Sequence, residues 1–328
     1  MASLLDCTLR DGGHLNGWRF SHELVRALLV AAARSGVDAV ELGYAHSPTD
    51  SQGPCAAVTA AWLDEVTADL APLPRLAVMI DAGRCEPGAV LPLGAGWEGL
   101  VRVAAYPHEL PRAFELVRAL LAEGQAVCLN LSAGSALGPA ELEALAGFEG
   151  LGALEAVVLA DSFGALLPDR TRSLLQALRV IGCRRLGFHA HNNLQLAFAN
   201  ALAALEAGVE SLDACAFGMG RGAGNLPMEL ILGHLQRGSG RLSVAPYLAF
   251  VETHIAPLQP AIDWGYTLPG LLSGLGGLHP SYGPALVARA GSAAAAWQAL
   301  AEVDGALPLG YEAAALARAW RGPLQVRP

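Results

Sequence analysis

The chain has 328 residues, 53% of them hydrophobic and 16% charged, and a formal net charge of −9. That length accommodates one α/β barrel of about 250 residues with a smaller appendage, and that composition excludes a disordered chain. The acidic balance argues against a nucleic-acid surface, which needs basic patches, and no apolar run reaches the ~18 to 20 residues that cross a bilayer.

Met1 to Arg10 lacks a basic segment followed by a long apolar run, so no signal peptide and a cytoplasmic location are expected. Leu4–Cys7 then reads as a first strand, Glu23–Arg34 as a helix, Ala39–Leu42 as a strand and Ala56–Leu70 as a helix. Strands Leu76–Ile80 and Leu100–Ala104 follow, then helix Glu109–Ala122, strand Ala126–Leu131 and helix Pro139–Leu145. Strands Ala156–Leu159, Leu186–His189 and Leu212–Phe217 alternate with helices Asp169–Val180 and Leu194–Glu206. Eight strand-like runs separated by amphipathic stretches, without hairpin signals, predict an α/β fold of the (β/α)8 TIM-barrel type. A doubly wound open sheet is the alternative, but Thr-Leu-Arg-Asp-Gly-Gly-His after the first strand is not a dinucleotide-binding loop. The periodicity changes near Arg241, where prolines become frequent and helical patterns follow over Ser292–Val303 and about Tyr311–Trp320. The expected organisation is a catalytic barrel over 1–240 and a mostly helical C-terminal extension over 241–328.

All 21 basic residues are arginine. Without lysine, Schiff-base chemistry, a P-loop and a pyridoxal phosphate linkage are excluded. If the protein breaks carbon–carbon bonds beside a carbonyl, a metal is the natural electron sink. The six cysteines are scattered without a CxxC pair, which reads as reduced core thiols.

Catalytic residues of a TIM barrel lie where strands end and βα loops begin. Strand one ends in Asp6-Cys-Thr-Leu-Arg-Asp-Gly-Gly-His14. There Asp11 offers a hard carboxylate oxygen, Arg10 can stabilise an oxyanion, and His14 can exchange a proton near neutrality. An Asp–Arg pair capping a loop would leave the same trace. The seventh strand ends in Phe188-His189-Ala190-His191. Residues two apart share a strand face, so both imidazoles would enter the barrel mouth as a metal pair, or one would be a core histidine. The Gly-rich run Phe217 to Asn225 follows strand eight; its flexibility would let the Asn225 oxygen approach a metal, or let the loop cradle a carboxylate or phosphate. Glu41, Arg102, Asn130, Asp161 and Ser162 are further strand-end polar residues, readable as substrate contacts or as ion pairs inside the barrel. Asp6 is a candidate to orient a ligand or Arg10.

Thr8-Leu-Arg-Asp-Gly12, His189-Ala-His191-Asn-Asn and the Gly218 to Asn225 loop, in this order, resemble the DRE-TIM metallolyases, over about residues 3–240. That family includes hydroxymethylglutaryl-CoA lyase, isopropylmalate and homocitrate synthases and 4-hydroxy-2-oxovalerate aldolase. The resemblance implies Asp11, His189, His191 and Asn225 as ligands of Mn²⁺ or Mg²⁺, Arg10 as the enolate-stabilising arginine and His14 as the catalytic base. It implies a class II aldolase that cleaves or forms a 4-hydroxy-2-oxo acid through a pyruvate-type enolate. A Claisen-type acyl-CoA-dependent synthase and a non-catalytic metal-binding barrel are the alternatives. The sequence departs from the oxovalerate aldolases at their C-terminal tyrosine: Gly265-Tyr-Thr-Leu-Pro-Gly270 has no second tyrosine, so Tyr266, His279 or Tyr282 is expected to serve. The cysteine-bearing C-terminal loop of the hydroxymethylglutaryl-CoA lyases has no counterpart. Expected partners are a small 2-oxo acid and an aldehyde, with no nucleic acid or membrane. The extension leaves room for a homodimer and for an aldehyde-processing partner enzyme.

Overall fold

The computed structural model describes residues 2–45, 52–85, 93, 97–301, 303 and 307–320. The strands are β1 Ser3–Asp6, β2 Ala39–Tyr44, β3 Arg75–Asp81, β4 Leu100–Ala105, β5 Ala126–Leu131, β6 Ala156–Asp161, β7 Leu186–Ala190 and β8 Ser211–Ala214. They form a closed parallel barrel in chain order. β8 returns to β1 with Ser3 opposite Ser211 and Asp6 opposite Ala214. The expected (β/α)8 architecture is therefore the observed one.

Alternation along the strands sorts the side chains into two layers. Outward residues such as Leu4, Val40, Val78, Val103, Leu129 and Leu159 pack beneath the helices. Inward residues Leu5, Ala39, Ala77, Leu100, Cys128 and Ala156 fill the barrel with small and medium apolar groups. Glu41, Arg102 and Asp213 are buried too. All six cysteines are buried, as expected of core thiols.

Two elements at the barrel mouth depart most from the sequence reading. The Arg10–His14 segment is not a loop but a helix, α1, Thr8–Asn16, ahead of the crossover helix α2, His22–Ser35. Two glycines in nine residues cost about 1 kcal/mol each in helix propensity, and packing overrides that cost. At Gly13 a Cβ would stand 2.1 Å from Cδ1 of Trp18, so only glycine lets the indole close over the helix. The last strand stops at Ala214, and Ala216–Gly218 is a 3-10 turn with Phe217 in the left-handed region (φ 52°).

The C-terminal region divides between two apolar cores. Leu242, Tyr247, Phe250, Ile255 and Trp264 belong to the core around the barrel. Helix Ala245–Phe250 packs on α2, and Tyr247 donates a hydrogen bond to Asp6 at the end of β1. A separate core joins Leu272, Tyr282, Leu286, Ala296 and Leu316. It is built by helices Leu268–Gly276, Tyr282–Ala290, Ala293–Leu300 and Ala313–Ala319. Among the described residues, no helix is long and apolar enough to cross a membrane.

Candidate active site

The site is assembled from the first and last βα connections, brought together by barrel closure. At β1, Asp6 Oδ1 accepts from Thr8 N (2.8 Å), and Thr8 Oγ1 accepts from Ala216 N (2.7 Å), tying α1 to the far end of the chain. Trp18 folds back on α1 and donates from Nε1 to Arg10 O (2.9 Å). At β7, His191 forms an antiparallel bridge with Asn225. Asn192 N donates to Gly224 O (2.9 Å) and Leu226 N to Ala190 O (3.0 Å), so the Gly-rich loop is stitched to the end of β7, where both histidines stand. At Gly220 a Cβ would fall 2.0 Å from Asn225 Nδ2 and 2.6 Å from Asp11 Oδ2. A side chain there would push these two residues apart.

Candidate ligand atoms of Asp11, His189 and His191 lie within 4.8 Å of one another, all buried. His189 Nε2, His191 Nδ1 and Asn225 Oδ1 are buried with no hydrogen-bond partner. Three orphaned acceptors around a carboxylate would be costly in a closed core. A cation relieves all of them at once, so the donor set fits a divalent metal. Asn225 Nδ2 meanwhile donates to Asp11 Oδ2 and to Met219 O. The second cluster that could hold an ion, Cys7, His189 and Asp213, is less suited. Burial keeps the Cys7 thiol well above its ordinary pKa, and Asp213 is already bound to Arg102.

Behind the ligands runs a chain of buried charges. Arg10 NH1 meets Asp11 Oδ1 at 2.7 Å, and Arg10 Nε meets Glu41 Oε2 at 2.8 Å. Glu41 Oε1 lies 3.1 Å from Arg102 NH1. Arg102 NH2 grips Asp213, and Asp213 Oδ2 sits 3.2 Å from His189 Nδ1. This last contact orients the imidazole and leaves Nε2 facing the ligand cluster. Burial opposes ionisation of Asp11, but Arg10, then His191 and Arg221, hold its carboxyl well below the usual range. Burial likewise opposes ionisation of Asp213, and Arg102 with His189 brings its pKa down to about 2. Burial lowers His191 to about 3 despite Asp11, so its ring is neutral and able to bind metal.

The ligand cluster opens into a cavity of about 700 Å³ lined by Arg10, His14, Tyr44, Asn130, Ser162, Arg221 and His279, among others. His14 sits edge-on to Trp18, with ring centroids 4.6 Å apart, and its Nε2 lies 3.3 Å from the Tyr44 hydroxyl. Burial, then the charge of Arg221, pushes His14 well below the ordinary imidazole pKa. It is therefore neutral and able to accept a proton at physiological pH.

The structure thus brings Arg10, Asp11, His14, His189, His191 and Asn225 together, with Asn130 and Ser162 on the cavity wall. Four expected substrate contacts lie elsewhere. Glu41 and Arg102 are buried and engaged in ion pairs inside the barrel rather than lining the cavity. Tyr266 is 58% exposed and off the cavity wall. Tyr282 is fully buried, its hydroxyl donating to Gly310 O (3.0 Å) and accepting from Glu312 N (3.1 Å). His279, rather than either tyrosine, reaches the cavity from the C-terminal region.

Sequence reasoning missed Tyr44, Asp213 and Arg221. A lone acid in the apolar run of β8, in register with His189, was a usable signal for Asp213. A charged side chain inside a Gly-rich loop was one for Arg221.

The HMGL-like family model matches residues 111–255. A 4-hydroxy-2-oxovalerate aldolase of Thermomicrobium roseum is 33% identical over 265 residues, 78% of this chain and 73% of the relative. The corresponding aldolase of Serratia proteamaculans is 32% identical over 88% of this chain and 87% of its own. Among solved structures, the N-terminal domain of a Bacteroides vulgatus protein described as an aldolase superposes with a TM-score of 0.78. It is 29% identical and covers 87% of this chain and 96% of that one. Hydroxymethylglutaryl-CoA lyase from Pseudomonas aeruginosa, at 20% identity and a TM-score of 0.63, covers 78% of this chain and 93% of its own and shares the fold.

Proposed function

We propose, from the premise that the chain belongs to the HMGL-like (DRE-TIM) family and is a metal-dependent aldolase, that it cleaves or forms the C3–C4 bond of a 4-hydroxy-2-oxo acid, with pyruvate as the 2-oxo fragment. The observation that carries this reading is the convergence of orphaned acceptors on His189, His191 and Asn225 around Asp11, opening on the cavity that holds Arg10 and His14. Asp11, His189, His191 and Asn225 would hold Mn²⁺ or Mg²⁺, for which the two oxygen donors of Asp11 and Asn225 are suited ligands. When bound, that cation supplies Lewis acidity at the 2-oxo group.

The protein's own groups do the rest. Arg10 spends Nε and NH1 on Glu41 and Asp11, which leaves NH2 for the oxygen that gains charge as the bond breaks. A preorganised donor of this kind is worth about 10² to 10³ in rate. In the cleavage direction His14 takes the 4-hydroxyl proton on its neutral ring, and Tyr44, beside Nε2, fixes the ring's orientation. In the synthetic direction the same proton returns to the new hydroxyl. Asn130 and Ser162, at the ends of β5 and β6, face the cavity as polar contacts for the 2-oxo acid.

The direct test is exchange of the pyruvate C3 protons in D₂O, which needs no acceptor aldehyde. Exchange supported by Mn²⁺ or Mg²⁺ and abolished by a chelator is the expected result. Undiminished exchange in metal-stripped protein, or none with any cation, would remove this reading. Thiol release from an acyl-CoA would transfer the site to Claisen chemistry.

A further inference from the structure

We propose that the acceptor aldehyde carries a carboxylate of its own, received by Arg221 of the Gly-rich loop and His279 of the C-terminal region. This rests on the aldolase reading above and names the class of its second substrate. Among the described residues, three arginines line the cavity. Arg10 is paired with Asp11 and Glu41, and Arg84 with Asp81. Arg221 has no carboxylate partner among the described residues, and its Nε is buried without any hydrogen bond.

The polar neighbour of Arg221 is His279, with NH1 3.4 Å from Nε2. That contact does not satisfy the guanidinium. Ser281 N donates to His279 Nδ1 at 3.2 Å, and a neutral imidazole that accepts at one nitrogen carries its proton on the other. Burial and the neighbouring Arg221 lower His279 to about 4, so the ring is neutral. Arg221 NH1 and His279 Nε2–H are therefore two donors facing one gap, an arrangement that an oxyanion completes.

The gap belongs to the acceptor end of the substrate. Arg221 lines the same cavity as His14, the base that must face the 4-hydroxyl, and as Tyr106, and it is the charged group that acts most strongly on His14. The 2-oxo acid end is served by Arg10, Asn130 and Ser162. One guanidinium and one neutral N–H match a singly charged carboxylate. A phosphate dianion would share the cavity with Asp81 and Glu109, which also line it. In synthesis, His14 takes a proton from pyruvate C3, C3 bonds to the aldehyde carbon, and the protonated ring returns that proton to the former carbonyl oxygen, leaving His14 neutral again; no oxidation or reduction occurs.

The test compares succinic semialdehyde with butanal as acceptors for pyruvate in the Mn²⁺-loaded enzyme, and repeats the comparison for Arg221→Gln and His279→Leu. The wild type should prefer the carboxylated aldehyde by about 10²-fold in kcat/KM. Arg221→Gln should collapse that ratio through KM for the aldehyde, and His279→Leu should reduce it by about tenfold. KM for pyruvate, read separately from C3 exchange, should move much less than KM for the aldehyde, which also shows that the variants are folded. No wild-type preference, or preference for glyceraldehyde 3-phosphate over succinic semialdehyde, overturns the proposal. A rise in KM for pyruvate in Arg221→Gln does so too, by assigning Arg221 to the 2-oxo acid. Absence of pyruvate exchange in the wild type, seen before any aldehyde is added, removes the aldolase reading itself.

Discussion

Asp213 touches no substrate, yet two buried groups depend on it: it aligns His189 through Nδ1 and neutralises Arg102. Asp213→Asn keeps the shape and removes the charge. Metal affinity, measured by titration of the stripped protein, should fall about 10- to 100-fold. Urea unfolding should show a loss of about 3 kcal/mol, because Arg102 is left underpaired in the interior. Arg10→Lys retains a cation but not the fork that spans Asp11 and Glu41 while leaving a third nitrogen for substrate. Turnover of the metal-loaded variant should drop at least 10²-fold; an unchanged rate would take Arg10 out of the chemistry. His14 faces Arg221, Asp11, Arg10 and Arg84 electrostatically, with Tyr44 and Trp18 packed on its ring. A base whose folded pKa lies well below 6.5 stays neutral as the pH falls through 6.5. The kcat/KM profile should therefore show no limb centred on 6.5, and substituting His14 by Gln should remove general-base catalysis across the range.

At the scale of elements, α1 is the part that converts a barrel into a site, since it turns the residues after β1 over the barrel mouth. Its position depends on contacts outside the helix: Thr8 with Ala216 and Gly12 with Met219, from the far end of the barrel, and Gly13 with the nearby Trp18. Gly13→Ala places a methyl inside the Trp18 ring, so the indole or the helix must shift. Thermal unfolding should report a loss of about 1 to 3 kcal/mol, and proton exchange should weaken beyond what stability explains, because Arg10 and His14 sit on either side of the substitution. The β7 histidines need less help. Strand geometry places them, and the Gly-rich loop, bridged to His191 through Asn225, closes the ligand set.

At the scale of the whole molecule, one buried carboxyl gives stability a pH-dependent contribution of unusual sign, opposite to that of Asp11 and Asp213. Burial raises Asp161 to about 7, against the hydrogen bonds it accepts from Ala165 and Leu166. The unfolded chain then binds fewer protons than the folded one between the ordinary carboxyl pKa and 7. The contribution of Asp161 is full at low pH and is lost as pH rises through that window, on the order of 4 kcal/mol at complete ionisation. Asp161→Asn retains an acceptor for the two N–H groups, so its stability relative to wild type should improve steadily from pH 4 to pH 8 in paired denaturation curves. Fold class was legible from periodicity alone, because strands and helices of a barrel are local patterns repeated in order. Asp11, His189 and His191 were legible because unusual polar residues stood at strand ends, where the topology puts chemistry. α1 was hidden by its glycines, whose reason is a tryptophan packed against them. Glu41 and Arg102 looked like substrate contacts because a strand-end charge reads the same whether it faces a ligand or a counter-ion. Which partner a side chain meets across the closed barrel, and so which arginine remains free for a substrate, depends on residues from different strands, such as Arg102 and Asp213, 111 positions apart, and only the three-dimensional fold decides it.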